Sequence, residues 1–192
     1  MSSTFDRYSA NHNDHGTDKN TLHSYGDVYD TLFQMLYDAR RQEGGEVRAL
    51  MEIGVYSGAS VVAMAEAFPS ATVYGLDITM ERVRFGHERV QFIQSDATLP
   101  SALEKVPRIP LDFIIDDGSH CPEDMVAAFV LWAERVARGG FYVIEDITPE
   151  ALALIKPILS ALAKKQGFSM EVLDRRTLKG RFDDILMVCR KI

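Results

Sequence analysis

Two short stretches hold most of the side chains that could do chemistry, Ile114-Ile-Asp-Asp-Gly-Ser-His120 and Val143-Ile-Glu-Asp146. Each is an apolar run that stops at carboxylates. That is the pattern of a buried parallel strand delivering polar groups to the carboxyl edge of a sheet, outside which open α/β sheets bind their ligands. If the two strands are neighbours, Asp116, Asp117, Glu145, Asp146 and His120 converge on one small volume. Four carboxylates cannot all stay ionised there without a cation, because like charges raise one another's pKa. Oxygen donors without cysteine or paired histidine select Mg²⁺, with Mn²⁺ or Ca²⁺ as other hard ions, over Zn²⁺. Histidine titrates in the neutral range, so His120 is the candidate general base. Taken singly, the two aspartates could cap the following helix and His120 could be a turn residue; their joint occurrence with Glu145-Asp146 favours a site.

A second set of residues has the spacing of a cofactor cradle. Glu52-Ile-Gly54-Val-Tyr-Ser-Gly58 sits at a strand-to-helix turn, where glycines let backbone approach a ligand and the helix start offers free N–H groups. It lacks the G-x-G-x-x-G spacing that a nicotinamide-dependent oxidoreductase would carry. Asp77 ends the next strand, roughly 20 residues downstream, where an acid takes ribose hydroxyls. Asp96 ends the strand after that and is placed to border an adenine.

The elements that must position these groups alternate regularly. A helix is expected over 27–41, stopped by Gly44-Gly45, then strands at 48–53, 72–77, 90–95, 111–115 and 141–144. Helices are expected from Gly58 through Phe68, over 80–87, from Pro122 to Arg138, and over 150–165 with Pro157 inside the last. Strands at 168–173 and 184–189 follow without an intervening helix, so this pair should be antiparallel. Alternation of this kind implies right-handed βαβ units and a mostly parallel sheet in an α/β fold. Residues 1–26 are polar and aperiodic, and His12 and His15 within them have no acid or cysteine cluster to support a metal. The connector carrying Arg175, Arg176 and Arg181 reads as a solvated hairpin connection.

Composition bounds the rest. The 192 residues make one domain, 1–192, at 46% hydrophobic and 26% charged. A net charge of −7 disfavours nucleic acid or an anionic membrane as partner. Two cysteines, Cys121 and Cys189, are too few for a disulfide framework and suit a reducing compartment. No stretch reaches membrane-spanning length and the start does not read as a signal peptide, so a cytoplasmic location is expected.

Together the acid-x-Gly-x-x-x-Gly turn, Asp77 and the antiparallel ending resemble the class I S-adenosylmethionine-dependent methyltransferases over about 48–190. The resemblance implies a Rossmann-like seven-stranded sheet in the order 3-2-1-4-5-7-6 with strand 7 antiparallel. It also implies a cofactor set of Glu52, Gly54, Ser57, Gly58, Asp77, Asp96 and Asp116. Gly16-Thr-Asp-Lys19 with His23 and Tyr25, Ile114–His120 and Val143–Asp146 resemble more narrowly the Mg²⁺-dependent O-methyltransferases that act on sugar hydroxyls of macrolide and aromatic polyketide antibiotics. That likeness implies Asp117, Glu145 and Asp146 as metal ligands, His120 as base, and residues 1–26 as a lid over a catalytic core of 27–192. The acceptor expected is a glycoside or other small natural product, and association into a homo-oligomer is compatible with the sequence. Some such enzymes carry an additional N-terminal domain, for which these residues leave no room. A catechol-type O-methyltransferase is the nearest rival, although that family has Asp-Asn where this chain has Glu145-Asp146. A non-catalytic cofactor-binding module would have no reason to gather the second acid set.

Overall fold

The structure is a computed structural model and describes residues 2–10 and 15–192; His12 lies outside the described residues. One seven-stranded sheet runs β1 (Ala49–Ile53), β2 (Thr72–Asp77), β3 (Val90–Gln94), β4 (Leu111–Asp116), β5 (Val136–Ile144), β6 (Phe168–Asp174) and β7 (Ile185–Lys191). Its spatial order is β3-β2-β1-β4-β5-β7-β6. The first five strands are parallel and β7 is antiparallel to both neighbours. This is the Rossmann-like order that the family resemblance implied.

The helices are α1 (Gly26–Gln42), α2 (Ala59–Ala67), α3 (Ala102–Lys105), α4 (Pro122–Trp132), α5 (Pro149–Lys165) and α6 (Arg176–Lys179). Central strands buried on both faces read as unbroken apolar runs, and every residue of β1 and β4 is buried. Successive side chains alternate faces: Phe113 and Ile115 join the cluster under α1 and α2, whereas Ile114 joins the one under α4 and α5. Phe33 of α1 anchors the first cluster, edge-on to both Phe68 and Phe113. Pro157 lies on the solvent side of α5, where its missing N–H interrupts the helix least.

Three expectations are corrected, the first being that no helix separates the last two strands: the one-turn α6 lies between β6 and β7, short enough to leave the pair antiparallel. Residues 80–87 form no helix. Phe85 and Arg84 donate their N–H groups to Ser57 O at 3.0 and 2.8 Å, and Arg84 Nη1 donates to the carbonyls of Glu81 and Val83, so tertiary and side-chain bonds replace the helical ladder. The helix from Pro122 ends at Trp132, and β5 begins at Val136 instead of following Gly139-Gly140. Those glycines lie within the strand, where the β4–β5 register shifts and a Cβ on Gly140 would lie 2.5 Å from Asp112 O.

The described N-terminal residues pack on α1 and α2 and reach the carboxyl ends of the central strands. Phe5 is fully buried against Tyr29 and Phe33, and residues 8–10 pair with Thr17. The connector between β6 and β7 holds this segment: Lys179 Nζ donates to the carbonyls of Asn20, Thr21 and His23 at 2.9, 3.1 and 2.7 Å. Arg175 reaches Asp27 at 2.6 Å, while Arg176 and Arg181 pair locally with Asp174 and Asp183. Among the described residues, no helix is long and apolar enough to cross a membrane.

Candidate active site

The carboxyl edge of β1, β2, β4 and β5 opens into a cleft of about 870 Å³, a size suited to a small molecule or cofactor. The loop from β1 to α2 forms its floor. Gly54 has φ +83°, and a Cβ there would lie 1.9 Å from the carbonyl oxygen of Asp117. Only glycine lets these two loops touch. Gly54→Ala is therefore expected to cost at least the ~1–3 kcal/mol of a left-handed non-glycine residue. Thermal melting should fall accordingly, and an unchanged melting temperature would contradict the close approach.

Asp77 locks the same loop. Its Oδ2 accepts the N–H groups of Val55 and Tyr56 at 2.9 and 3.1 Å, and Oδ1 accepts Thr79 N–H at 3.1 Å. Asp96 is held by the N–H and hydroxyl of Thr98 at 2.9 and 2.6 Å, and the hydroxyl bond in particular lowers its pKa. Ser57, Asp77, Asp96 and Asp116 line the cleft, as do Asp117, His120 and Asp146. Asp116 accepts from Tyr142 Oη at 3.1 Å, and burial pushes its carboxyl up to about 7.

Three residues expected in the site do not face the cleft. Gly58 starts α2 at φ +86°, against Phe85 O and the Phe92 ring, so its lack of a side chain serves packing of the 78–89 loop. Glu52 is fully buried behind the loop, bonded to the Ser60 hydroxyl and 3.3 Å from Lys19 Nζ. Burial raises it to about 7, against the opposing pull of Lys19 and Ser60. Glu145 is equally buried, with Oε1 accepting from the Tyr29 hydroxyl and Oε2 lying 2.5 Å from Lys19 Nζ.

A different trio converges. Ligand atoms of Asp117, His120 and Asp146 all lie within 4.8 Å of one another. His120 Nε2 is 3.9 Å from Asp117 Oδ1 and 4.0 Å from Asp146 Oδ2. The other Asp146 oxygen accepts from Tyr25 Oη at 2.8 Å and lies 3.2 Å from His23 Nδ1. His120 and Asp146 both sit in the left-handed region, at φ +58° and +52°. Such strain gathers at functional sites. Burial, then the charge of Asp117, raises Asp146 to about 6. Asp117 and Asp146 offer hard oxygen donors, which fit Mg²⁺ or Mn²⁺, and the His120 imidazole stands beside them.

Lys19 is the residue whose role the sequence spacing did not disclose. Its ammonium is 2.7 Å from Asp117 Oδ2 as well as near Glu145 and Glu52, and the side chain is 2% exposed. Burial alone would lower its pKa, but Asp117, Glu145 and Glu52 overturn that and hold it well above the lysine range. One ammonium thus faces three carboxylates, with Asp116 and Asp146 adjacent, and acid remains in excess of cation. Elsewhere, Cys121 is exposed, while Cys189 is buried and pushed up to about 12, unsuited to nucleophilic work. His15 is exposed and belongs to no group of three or more metal-ligating side chains among the described residues.

Comparisons with known proteins identify the family and the fold. The family described as "Methyltransferase domain" matches residues 51–147, just over half of the chain. The chain is similar to the 8-demethyl-8-alpha-L-rhamnosyl tetracenomycin-C 2'-O-methyltransferase of Streptomyces olivaceus, at 32% identity over 69% of this chain and 35% of that one. It is also similar to the mycinamicin VI 2''-O-methyltransferase of Micromonospora griseorubida, at 36% identity over 66% of this chain and 32% of that one. The chain spans about a third of the length of these relatives. Its fold matches the MycE methyltransferase of the mycinamycin pathway, solved in complex with Mg, SAH and mycinamycin VI. The TM-score is 0.69, with 23% identity over 92% of this chain and 50% of that one. A parallel sheet closed by an antiparallel seventh strand, a glycine turn braced by an acid on β2, and this sequence match have one common source. The chain belongs to the class I S-adenosylmethionine-dependent methyltransferase family.

Proposed function

We propose that this chain is a metal-assisted O-methyltransferase domain that transfers the methyl group of S-adenosylmethionine to a hydroxyl of a sugar or other small natural-product acceptor. The observation that carries the reading is the Asp117–His120–Asp146 face opening into the same cleft as the Gly54 loop and Asp77. A module that only bound cofactor would not need a strained imidazole between two carboxylates. Relatives whose names specify sugar-position O-methylation support a glycoside as the acceptor class.

Each part of the chain has a task in this reading. The Gly54 loop lets the cofactor approach backbone, and Asp77, whose carboxylate is already oriented by Val55 and Tyr56, keeps lone pairs for ribose hydroxyls. Asp117 and Asp146 would hold a divalent ion, which supplies Lewis-acid chemistry that makes a weakly acidic hydroxyl easier to ionise. His120 Nε2 takes the hydroxyl proton. The oxygen then forms its bond to the methyl carbon as the carbon–sulfur bond breaks, S-adenosylhomocysteine leaves, and His120 releases the proton to solvent. The N-terminal wall, through Thr17, Asp18 and Leu22, bounds the acceptor side and limits access of water.

Calorimetric titration with S-adenosylmethionine, with and without Mg²⁺, followed by an acceptor screen of glycosides and catechols, tests the reading. Asp77→Ala should weaken cofactor binding by at least about tenfold, since it removes the ribose acceptor and frees the loop N–H groups together. Tight NAD binding without measurable S-adenosylmethionine binding would sink the proposal. Turnover of catechols with none of glycosides would move the acceptor to the vicinal-diol aromatic class.

A further inference from the structure

Lys19 is buried where methyl transfer does not by itself require a lysine. Its segment is already anchored by Phe5 and Tyr25, both fully buried, and by Lys179 on three of its carbonyls. Burying an ammonium to hold the segment down adds a desolvation cost that an apolar side chain would not incur. The ammonium instead meets one oxygen from each of three acids, at the ends of β1 and β5 and in the loop after β4.

Asp117 is the member shared by both halves of the site. Its Oδ2 faces Lys19 at 2.7 Å, and its Oδ1 faces His120. Glu145 has one oxygen on Lys19 and the other on Tyr29, and it does not join the Asp117–His120–Asp146 trio.

We propose that Lys19 is the positioning residue of this acid cluster, a built-in monovalent cation that holds Glu52, Asp117 and Glu145. By doing so it turns Asp117 Oδ1 toward Asp146 and leaves room for one divalent ion. This rests on the metal-assisted reading above. Two consequences follow from charge alone. A like charge held by the same carboxylates weakens binding of the divalent ion, so removing the ammonium strengthens it. The acids freed by that removal, Glu145 and Glu52 above all, then lose the arrangement on which turnover depends.

The test is Mn²⁺ binding, followed by calorimetry and water-proton relaxation without cofactor or acceptor, in wild type, Lys19→Met and Lys19→Arg. Lys19→Met should bind Mn²⁺ at least about tenfold more tightly than wild type, while kcat at saturating metal falls at least about tenfold. Lys19→Arg keeps the charge and should keep the wild-type dissociation constant. Tighter metal with slower turnover is a combination that mere loosening of the fold does not produce. Lys19→Gln retains amide donors for Asp117 and Glu145 and serves the same measurement should the methionine variant not fold. Unchanged or weaker Mn²⁺ binding in the neutral variants, with wild type still binding, overturns the role of Lys19 and leaves the metal reading intact. Absence of Mn²⁺ binding to wild type overturns both.

Discussion

Asp146→Asn should reduce divalent-metal-dependent turnover by at least about 100-fold, because it removes one of two carboxylates on the face where His120 waits. Asparagine is the informative replacement. Residue 146 has φ +52°, which Asn tolerates and Ala does not, so the backbone survives while the charge is lost. Binding of S-adenosylmethionine should stay near wild type, since the Gly54 loop and Asp77 lie on β1 and β2. The wild-type pH profile supplies an independent check. Burial and Asp117 raise the Asp146 carboxyl to about 6. Its ionised form is the one that binds a cation, so metal affinity should fall as pH is lowered through about 6 and level off above it. Activity that survives both EDTA and Asp146→Asn would make the acid cluster structural.

His120→Ala is expected to slow methyl transfer by ~10²–10⁴, the usual contribution of a general base, without loss of metal binding or of cofactor binding. His120 holds a left-handed backbone at φ +58°. His120→Asn, which keeps that conformation, therefore separates loss of the base from loss of the turn. Activity of both variants should rise with pH as hydroxide replaces the imidazole, and added imidazole should restore part of it. Single-turnover rates with saturating metal and cofactor are the measurement. A variant that remains fully active while EDTA still inhibits would move the proton acceptor elsewhere, with Asp116, a buried carboxyl lining the cleft and raised to about 7, the next candidate.

The sequence by itself determined the sheet and the side chains presented at its carboxyl edge. Apolar runs such as Leu111–Ile115 become central strands because nothing polar interrupts their burial, and a strand that must end at the edge puts its next residues there. Gly54 and Asp77 were readable for the same local reason, a tight turn and a strand end at a characteristic spacing. Boundaries set by side-chain and tertiary hydrogen bonds were not readable: residues 80–87 have helical composition, yet Ser57 O and the Arg84 guanidinium claim the groups a helix would use. Only the tertiary structure decided which acids face one another. Glu145 and Asp146 are adjacent in the chain, but opposite turns of the backbone send one to Lys19 and Tyr29 and the other to His23, Tyr25 and His120. Lys19 lies 98 residues from Asp117 and 126 from Glu145. No periodicity links such positions, because the pairing of a buried ammonium with distant carboxylates is set by desolvation and charge once the chain has closed around them.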